Sequence, residues 1–573
     1  MNHRFTLLCS ATLVLAACSD EPNPDPIDAG ADSVSDADGE GLVEDLEEDA
    51  AADPADDSGG DSDTNSEEDT GPEPPNPDCD PLVGLECAMP WPSNLYLEED
   101  DTRATGFTLS FGETSLPRNF RRVHLRPDVY RRMDGFGFTT PIIVHYPRID
   151  LEGIATDFNV LPSLDDEALV QLFKVNGEEL TRIPYFAELD AWEEDPEIQA
   201  LWVRPAVILE EATRYIVVFK RGLQNDDGDP FERSPAFESL VSGRAENDEL
   251  LRERAERFDA TFDLLAENGV SRDELLLAWD FSTASSDAMH SRMLEIRREG
   301  FEAAGPDGPP MTITEWTDFT VEEHPHWASV IRGYLTVPHF MREDIVEDPS
   351  GTVVGWTFNE QTDGNGLVEQ NGTREAEFWI GVPHSASDGT PHGLAQYGHG
   401  FFGLGDGTTG SWTPNGQLGN EANLIWFGSN WTGMAEEDFG LIQFAVFDLN
   451  HFKWLPDRMH QGQLEFLLFA RSMRERFAQL PEAVERGLVV DPERIYFEGI
   501  SQGGINGATY MALTNDIRRG HLGVPGQNYA LLTHRSQNFD QFFVALAGAY
   551  PGRSQQAVLL ACVQTLWDPM DPA

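Results

Sequence analysis

The sequence predicts an α/β fold: a β-sandwich-like N-terminal module, then a domain built on a mixed or parallel sheet with helices on its faces. Three observations carry that expectation. Short alternating runs such as Phe107-Thr108-Leu109-Ser110-Phe111 and Tyr215-Ile216-Val217-Val218-Phe219, separated by Gly, Pro, Asp and Asn turns, fill the region from 79 to about 241. From about Thr312 onward, strand-like and helix-like stretches alternate. Near the end, Gly499-Ile500-Ser501-Gln502-Gly503 stands between a strand pattern and a helix pattern.

Taken in order, residues 1–17 read as an export signal. Met1 to Arg4 is short with one positive charge, and residues 5–17 are apolar apart from Thr6, Cys9, Ser10 and Thr12. Such a run suits a cleavable signal; a spanning helix takes about 20 apolar residues. It closes on Leu15-Ala16-Ala17-Cys18, which resembles the bacterial lipobox, and the resemblance implies cleavage before Cys18 and lipid on its sulfur. An ordinary cleaved signal with an incidental cysteine is the competing reading. Residues 18–78 form the expected tether. Positions 19–78 hold 23 acidic residues and no Lys or Arg, too little apolar area to offset ordering entropy. A flexible coil of that length reaches about 40 Å. With no second apolar stretch long enough to span, the expected membrane partner is held by lipid alone. Ser19 is not the Asp that retains some lipoproteins in the inner membrane, so the expected location is the cell envelope, at the outer membrane.

The chain carries 101 acidic against 38 basic residues, and 78 against 37 remain beyond the signal and tether. That field repels nucleic acid and anionic surfaces, so no nucleic-acid partner is expected. Only Lys174, Lys220 and Lys453 are lysines. Cys79 and Cys87 open the ordered part eight residues apart in a Pro-rich segment, and outside the cytoplasm they are expected to pair. Cys562 lies in an apolar run and reads as a buried thiol.

Residues 79–245 are the β-rich domain, with further strand runs at 141–146, 169–175 and 201–204. Asn225-Asp226-Asp227-Gly228-Asp229-Pro230 has the look of a calcium loop but lacks its downstream Glu, and reads as a hairpin turn. Residues 246–310 form a helical connector: helical spacing over 247–267 with Gly269 as stop, a strand at 275–279, a second amphipathic helix at 284–302. Residues 311–573 make up the last domain.

Within it, Arg494-Ile495-Tyr496-Phe497-Glu498 reads as a strand running into Ser501, and residues 505–513 as the helix that follows. A serine on so sharp a turn needs minimal neighbours two residues away, which Gly499 and Gly503 supply, with Gly504 next. The helix N-terminus favours negative charge developing at the serine oxygen. Upstream, Gly393-Leu394-Ala395-Gln396-Tyr397 leads into Gly398-His399-Gly400-Phe401-Phe402-Gly403. Together these resemble the α/β-hydrolase superfamily. The resemblance implies Ser501 as nucleophile, the backbone N–H groups of Phe401 and Gln502 as oxyanion hole, and His399 with Gly400 supporting the loop. More narrowly, the chain is similar to exported bacterial lipase- or esterase-like lipoproteins of the virulence-factor-lipase kind. Pro90-Trp91-Pro92-Ser93-Asn94-Leu95, Asp134-Gly135-Phe136, Ala278-Trp279-Asp280-Phe281, Asp516-Ile517-Arg518-Arg519-Gly520 and Leu566-Trp567-Asp568 carry that likeness.

The superfamily orders its triad Ser, acid, His. Only His521 and His534 follow Ser501, neither after a later acid, and the expectation is that the acid and His lie beyond Ala573, the chain being cut short. Asp568 and Asp571 read as turn residues. His534 backed by Asp540 would give a different order. The implied activity is hydrolysis of small-molecule or lipid carboxylic esters, with no cofactor and no metal ligand set. Phe401, Phe402, Trp412, Trp426 and Trp431 would suit an apolar acyl chain or an ordinary core. The alternative is a non-catalytic surface binding or adhesion lipoprotein with a degenerate hydrolase domain.

Overall fold

The computed structural model describes residues 76–572 apart from 249, 349–350, 362–365 and 412, with side chains at all of them except 247, 348, 387, 388 and 534. The signal, Cys18, the tether up to residue 75 and Trp412 lie outside the described residues. Pro74–Ala573 form one compact unit.

In its first part the named strands pair antiparallel. β1 (Leu97–Glu99) and β2 (Phe107–Leu109) make a small ribbon. β3 (Ile142–His145), β4 (Val170–Asn176), β5 (Glu179–Arg182), β6 (Tyr185–Leu189), β7 (Ala200–Pro205), β8 (Arg214–Lys220) and β9 (Leu275–Ser282) form two sheets, ordered β3-β7-β6 and β5-β4-β8-β9. β8 and β9 are almost wholly buried, as their unbroken apolar runs require. The Asn225 loop is a turn whose carboxamide oxygen accepts the N–H groups of Asp227 and Asp229, while Arg148 pairs with Asp226 and Asp227. Cys79 and Cys87 are bonded to each other. Beside them buried Asp80 takes both arms of Arg254 at 2.9 and 3.1 Å, tying the segment to a helix 174 residues on.

Helices α1 (Pro235–Val241) and α2 (Arg252–Glu267) precede β9, and α3 (Ser286–Ala304) follows it. The helix expected from 247 starts at Arg252 instead. Residues 245–247 form a tight turn, and Asp248 accepts the Leu250 N–H, which breaks the helical path.

The second part is a seven-stranded sheet: β10 (Met311–Asp318), β11 (Trp327–Pro338), β14 (Thr373–Pro383), β15 (His392–Gly398), β16 (Leu424–Ser429), β17 (Val490–Ile500) and β18 (Gly520–Gly523). The hairpin β12 (Met341–Asp348) and β13 (Gly351–Phe358) leaves it as a separate ribbon. The order is β10-β11-β14-β16-β15-β17-β18, antiparallel as far as the β14–β16 pair and parallel from β16 to β18. Helices α4 (Asn415–Ala422), α5 (Phe439–Phe447), α6 (Trp454–Glu475), α7 (Pro481–Glu485) and α8 (Gln502–Leu513) connect the parallel strands, and α9 (Tyr529–Arg535), α10 (Asp540–Ala549) and α11 (Arg553–Trp567) follow β18. From β15 the chain steps to β16 on one side and then returns to β17 on the other. That reversal opens a crevice at the carboxyl end of β15, the place where open α/β sheets bind ligands.

Candidate active site

Both glycine motifs reach that crevice. β17 ends at Ile500, α8 begins at Gln502, and Ser501 between them holds φ 57° and ψ −122°. A non-glycine residue there stores roughly 1–3 kcal/mol of strain. The neighbours show why it survives. A Cβ on Gly499 would overlap the Gly503 carbonyl, one on Gly503 the Gly398 carbonyl, and one on Gly504 the Gly523 carbonyl. The turn is then locked by backbone bonds: Ser501 N–H donates to Gly523 O at 3.0 Å, and its own carbonyl accepts from Gly504 and Ile505 at 2.8 and 3.0 Å.

The loop after β15 lies against this serine. A methyl on Gly400 would stand 3.6 Å from Ser501 Cβ and 4.0 Å from its Oγ. His399 is buried behind the loop with both ring nitrogens occupied. Nε2 accepts the Trp431 backbone N–H at 2.8 Å, which makes Nδ1 the donor to the Gly400 carbonyl, also at 2.8 Å. Burial pushes its pKa down to about 4, so the ring is neutral near pH 7. It braces the loop and has no nitrogen left for proton transfer. Trp431 in turn stacks on Phe466 with ring centres 3.4 Å apart. Among the described residues the N–H groups of Phe401 and Gln502 have no hydrogen-bond partner; Gln502 follows the serine in the chain, and Phe401 follows the Gly400 that faces it. The Gln502 side chain is pinned by donating to Asn506 Oδ1 at 3.0 Å and to the Tyr529 hydroxyl at 2.6 Å. Sequence reading passed over Asn506 and Tyr529, which sit in helices with no motif around them.

Phe401 and Phe402 turn outward from the loop into an apolar pocket that is partly open to solvent. Phe539, Phe542, Ile442 and Val446 continue its wall, and Phe401 packs on Phe539 with centroids 4.6 Å apart. Trp426 and Trp431 are core residues outside this wall.

No histidine or carboxylate hydrogen-bonds Ser501 among the described residues. His521 is exposed on the edge strand and pairs with Glu498 at 2.9 Å. Glu498 and Ile500 alternate with Gly499, so that pair lies on the sheet face away from Gly503. His460 is buried in α6, with Nδ1 on the Pro456 carbonyl at 2.7 Å. His451 sits by Asp448 at 3.9 Å. Asp571 accepts the N–H groups of Asn528 and Tyr529 at 2.9 and 2.8 Å and so caps α9. Asp568 is buried beside Gln564 and Gly137. The His534 side chain lies outside the described residues. Among those residues no group of His, Cys, Asp or Glu is placed to hold a metal ion, and no helix is long and apolar enough to cross a membrane.

No family model and no curated protein matches the sequence. Solved structures that it resembles include acetyl xylan esterase 1 from Thermoanaerobacterium sp. JW/SL YS485, 15% identical, with a TM-score of 0.28 over 48% of this chain and 73% of that one. Acetyl xylan esterase from Paenibacillus sp. R4 is 12% identical, with a TM-score of 0.27 over 50% and 74%. The rice cell wall degrading esterase LipA from Xanthomonas oryzae is 11% identical, with a TM-score of 0.22 over 40% and 53%.

Proposed function

We propose that the chain is a serine hydrolase of carboxylic esters, with Ser501 as nucleophile and the N–H groups of Phe401 and Gln502 as oxyanion hole. The observation that carries the reading is the strained Ser501 backbone, held at the mouth of a helix and against the Gly400 loop. Strain of this kind lifts a side-chain oxygen out of the sheet and brings two uncommitted N–H groups beside it. In the proposed reaction Ser501 Oγ bonds the acyl carbon, the alcohol leaves with the proton, and water releases the acid. The apolar cavity under Phe401 and Phe402 is the proposed seat of the acyl group. Export, lipid attachment at Cys18 and residence in the envelope at the outer membrane belong to the same proposal and rest on the N-terminal motif.

One observation favours a second reading, a binding lipoprotein with an inactive hydrolase fold: no base contacts Ser501 among the described residues. Turnover of p-nitrophenyl butyrate and labelling by a fluorophosphonate separate the two. The hydrolase reading expects both in the full-length protein, with any acid and His encoded beyond Ala573, and neither in its Ser501→Ala variant at unchanged thermal stability. A folded full-length protein that neither turns over nor labels would leave the binding reading standing.

A further inference from the structure

Away from the serine, the structure gathers positive charge in one place. A cleft of about 1230 Å³, its open mouth included, runs between the segment around Arg126–Arg132, helix α3, strand β12 and the turn before α6. Seven cationic side chains line it against two carboxylates, Asp128 and Glu360. In a chain with 101 acidic and 38 basic residues that ratio is inverted locally.

Four of the seven cations are matched. Arg131 pairs with Glu98 at 2.9 Å, Arg132 with Glu360 and Asp457 at 2.8 and 3.0 Å, Lys453 with Asp344 at 3.3 Å, and Arg103 with Asp100 at 3.6 Å. Arg126, Arg292 and Arg342 have no carboxylate partner among the described residues. Arg292 is the informative one. It is only 5% exposed, its Nε has no hydrogen-bond partner, and its other bonds are two 3.4 Å contacts to the Ala288 and Arg132 carbonyls. Burial, reinforced by the Arg132 and Arg103 charges and only partly offset by Glu360 and Asp457, brings its pKa down to about 10, so the guanidinium is still charged at neutral pH. A buried, unpaired guanidinium is costly unless something supplies the negative charge. The same cleft wall brings Arg103 close: a methyl on Gly366 would lie 3.4 Å from Arg292 Nη2 and 3.9 Å from Arg103 Nη1.

We propose that this cleft binds a small polyvalent oxyanion of the phosphate class, a polyphosphate or a multiply phosphorylated small molecule, with Arg126, Arg292 and Arg342 as its principal contacts. Guanidinium groups suit this chemistry because their forked N–H donors match tetrahedral oxyanions. Several such donors from separate elements select a ligand with several charges over a monovalent one. The acidic remainder of the chain does not forbid it. Charges farther than about 8 Å are largely screened at physiological salt, so inside the cleft the local cations dominate. The site shares no lining residue with the Ser501 turn and only Leu449 with the apolar cavity, and it does not rest on the hydrolase reading.

Calorimetric titration of the full chain with sodium tripolyphosphate, beside orthophosphate and citrate, tests it. Saturable binding of tripolyphosphate is expected, tighter than either comparison anion and weakened by added salt. Arg126→Ala/Arg342→Ala removes two exposed side chains that make no hydrogen bond or ion pair among the described residues, so folding should be unaffected and affinity should drop about tenfold or more, about 1.4 kcal/mol. Arg292→Gln should reduce it further, with circular dichroism confirming the fold. No saturable binding to the folded parent protein, citrate binding as tightly as tripolyphosphate, or equal affinity in the double variant would overturn the proposal.

Discussion

Asp568→Asn should change the pH dependence of stability in a direction opposite to ordinary surface carboxylates. Asp568 is buried, with Oδ1 accepting from Gln564 at 2.7 Å and from Thr139 at 3.4 Å, and Oδ2 without a partner. Gly137 lies so close that any Cβ there would collide with that oxygen. Burial, with the charge of Asp571 added, pushes the Asp568 pKa up from 3.8 to about 8. The folded protein therefore keeps a proton that the unfolded chain gives up near pH 4, and stability falls as pH rises from about 4 to about 8. At about 1.4 kcal/mol per pH unit the whole shift is on the order of 6 kcal/mol, of which roughly 3–4 lies between pH 5 and pH 8. An asparagine keeps the shape and cannot ionise. Urea unfolding at pH 5, 6.5 and 8 should show the variant gaining on the parent by a few kcal/mol over that range. Comparing the two proteins is necessary because buried histidines slope the other way. His399 and His460 are both pushed down to about 4 by burial, so their contribution is present above about pH 6.5 and fades as pH falls toward 4. A stability difference between variant and parent that stays flat from pH 5 to pH 8 would refute a protonated Asp568 in the folded state.

Two further outcomes bear on the serine site. His399→Ala should leave the Trp431 N–H and the Gly400 carbonyl unpaired in a buried place, costing roughly 1–3 kcal/mol for each in thermal or urea unfolding and lowering ester turnover through a displaced loop; unchanged turnover would mean that the loop does not depend on His399. Val446→Trp should narrow the apolar cavity and shift the kcat/KM ratio of C4 to C12 p-nitrophenyl esters toward the short chain by about 10²-fold, since losing room for four methylenes forfeits about 3 kcal/mol; an unaltered chain-length profile would place the acyl group elsewhere.

The serine turn was legible in the sequence because its constraint is local. Gly499, Ser501, Gly503 and Gly504 lie within six residues, and each glycine answers a carbonyl that comes too close for any Cβ. The β8 and β9 runs were legible for a related reason: strands buried on both faces must be apolar at every position. Helix α6 was not. It is buried nearly all round, so it shows no apolar stripe, and polar residues occupy positions that pattern reading gives to solvent. Each has a remote partner: Asp457 accepts from Thr357 and Arg132, Arg458 meets Asp438, Gln461 serves Phe340 and Pro338, and Glu465 accepts from Thr432. Nothing near position 460 in the sequence announces those partners. The cavity beside the serine was invisible for the same cause, since its walls come from Phe401 and Phe402 and from helices α5, α10 and α11.

The distribution of arginine follows from the same physics. A chain this acidic has more than two carboxylates for every basic residue, and on its surface such pairs are worth about 1 kcal/mol or less, so any nearby carboxylate will serve. Arg298, for instance, has Glu295, Glu299 and Glu302 within 3.3 Å on one helix face. Against that abundance, Arg292 is buried with no carboxylate in ion-pair contact among the described residues, the charges of Glu360 and Asp457 reaching it only from farther off. It is also beyond reach of pattern reading, because the cations around it come from positions 103 to 453 and meet only when α3, β12 and the segment before α6 are packed. The serine turn is built by glycines a few residues apart, and the basic cleft by charges hundreds of residues apart. The first can therefore be argued from the chain before it folds, while the second exists only in the folded protein, and its ligand has to be sought by titration.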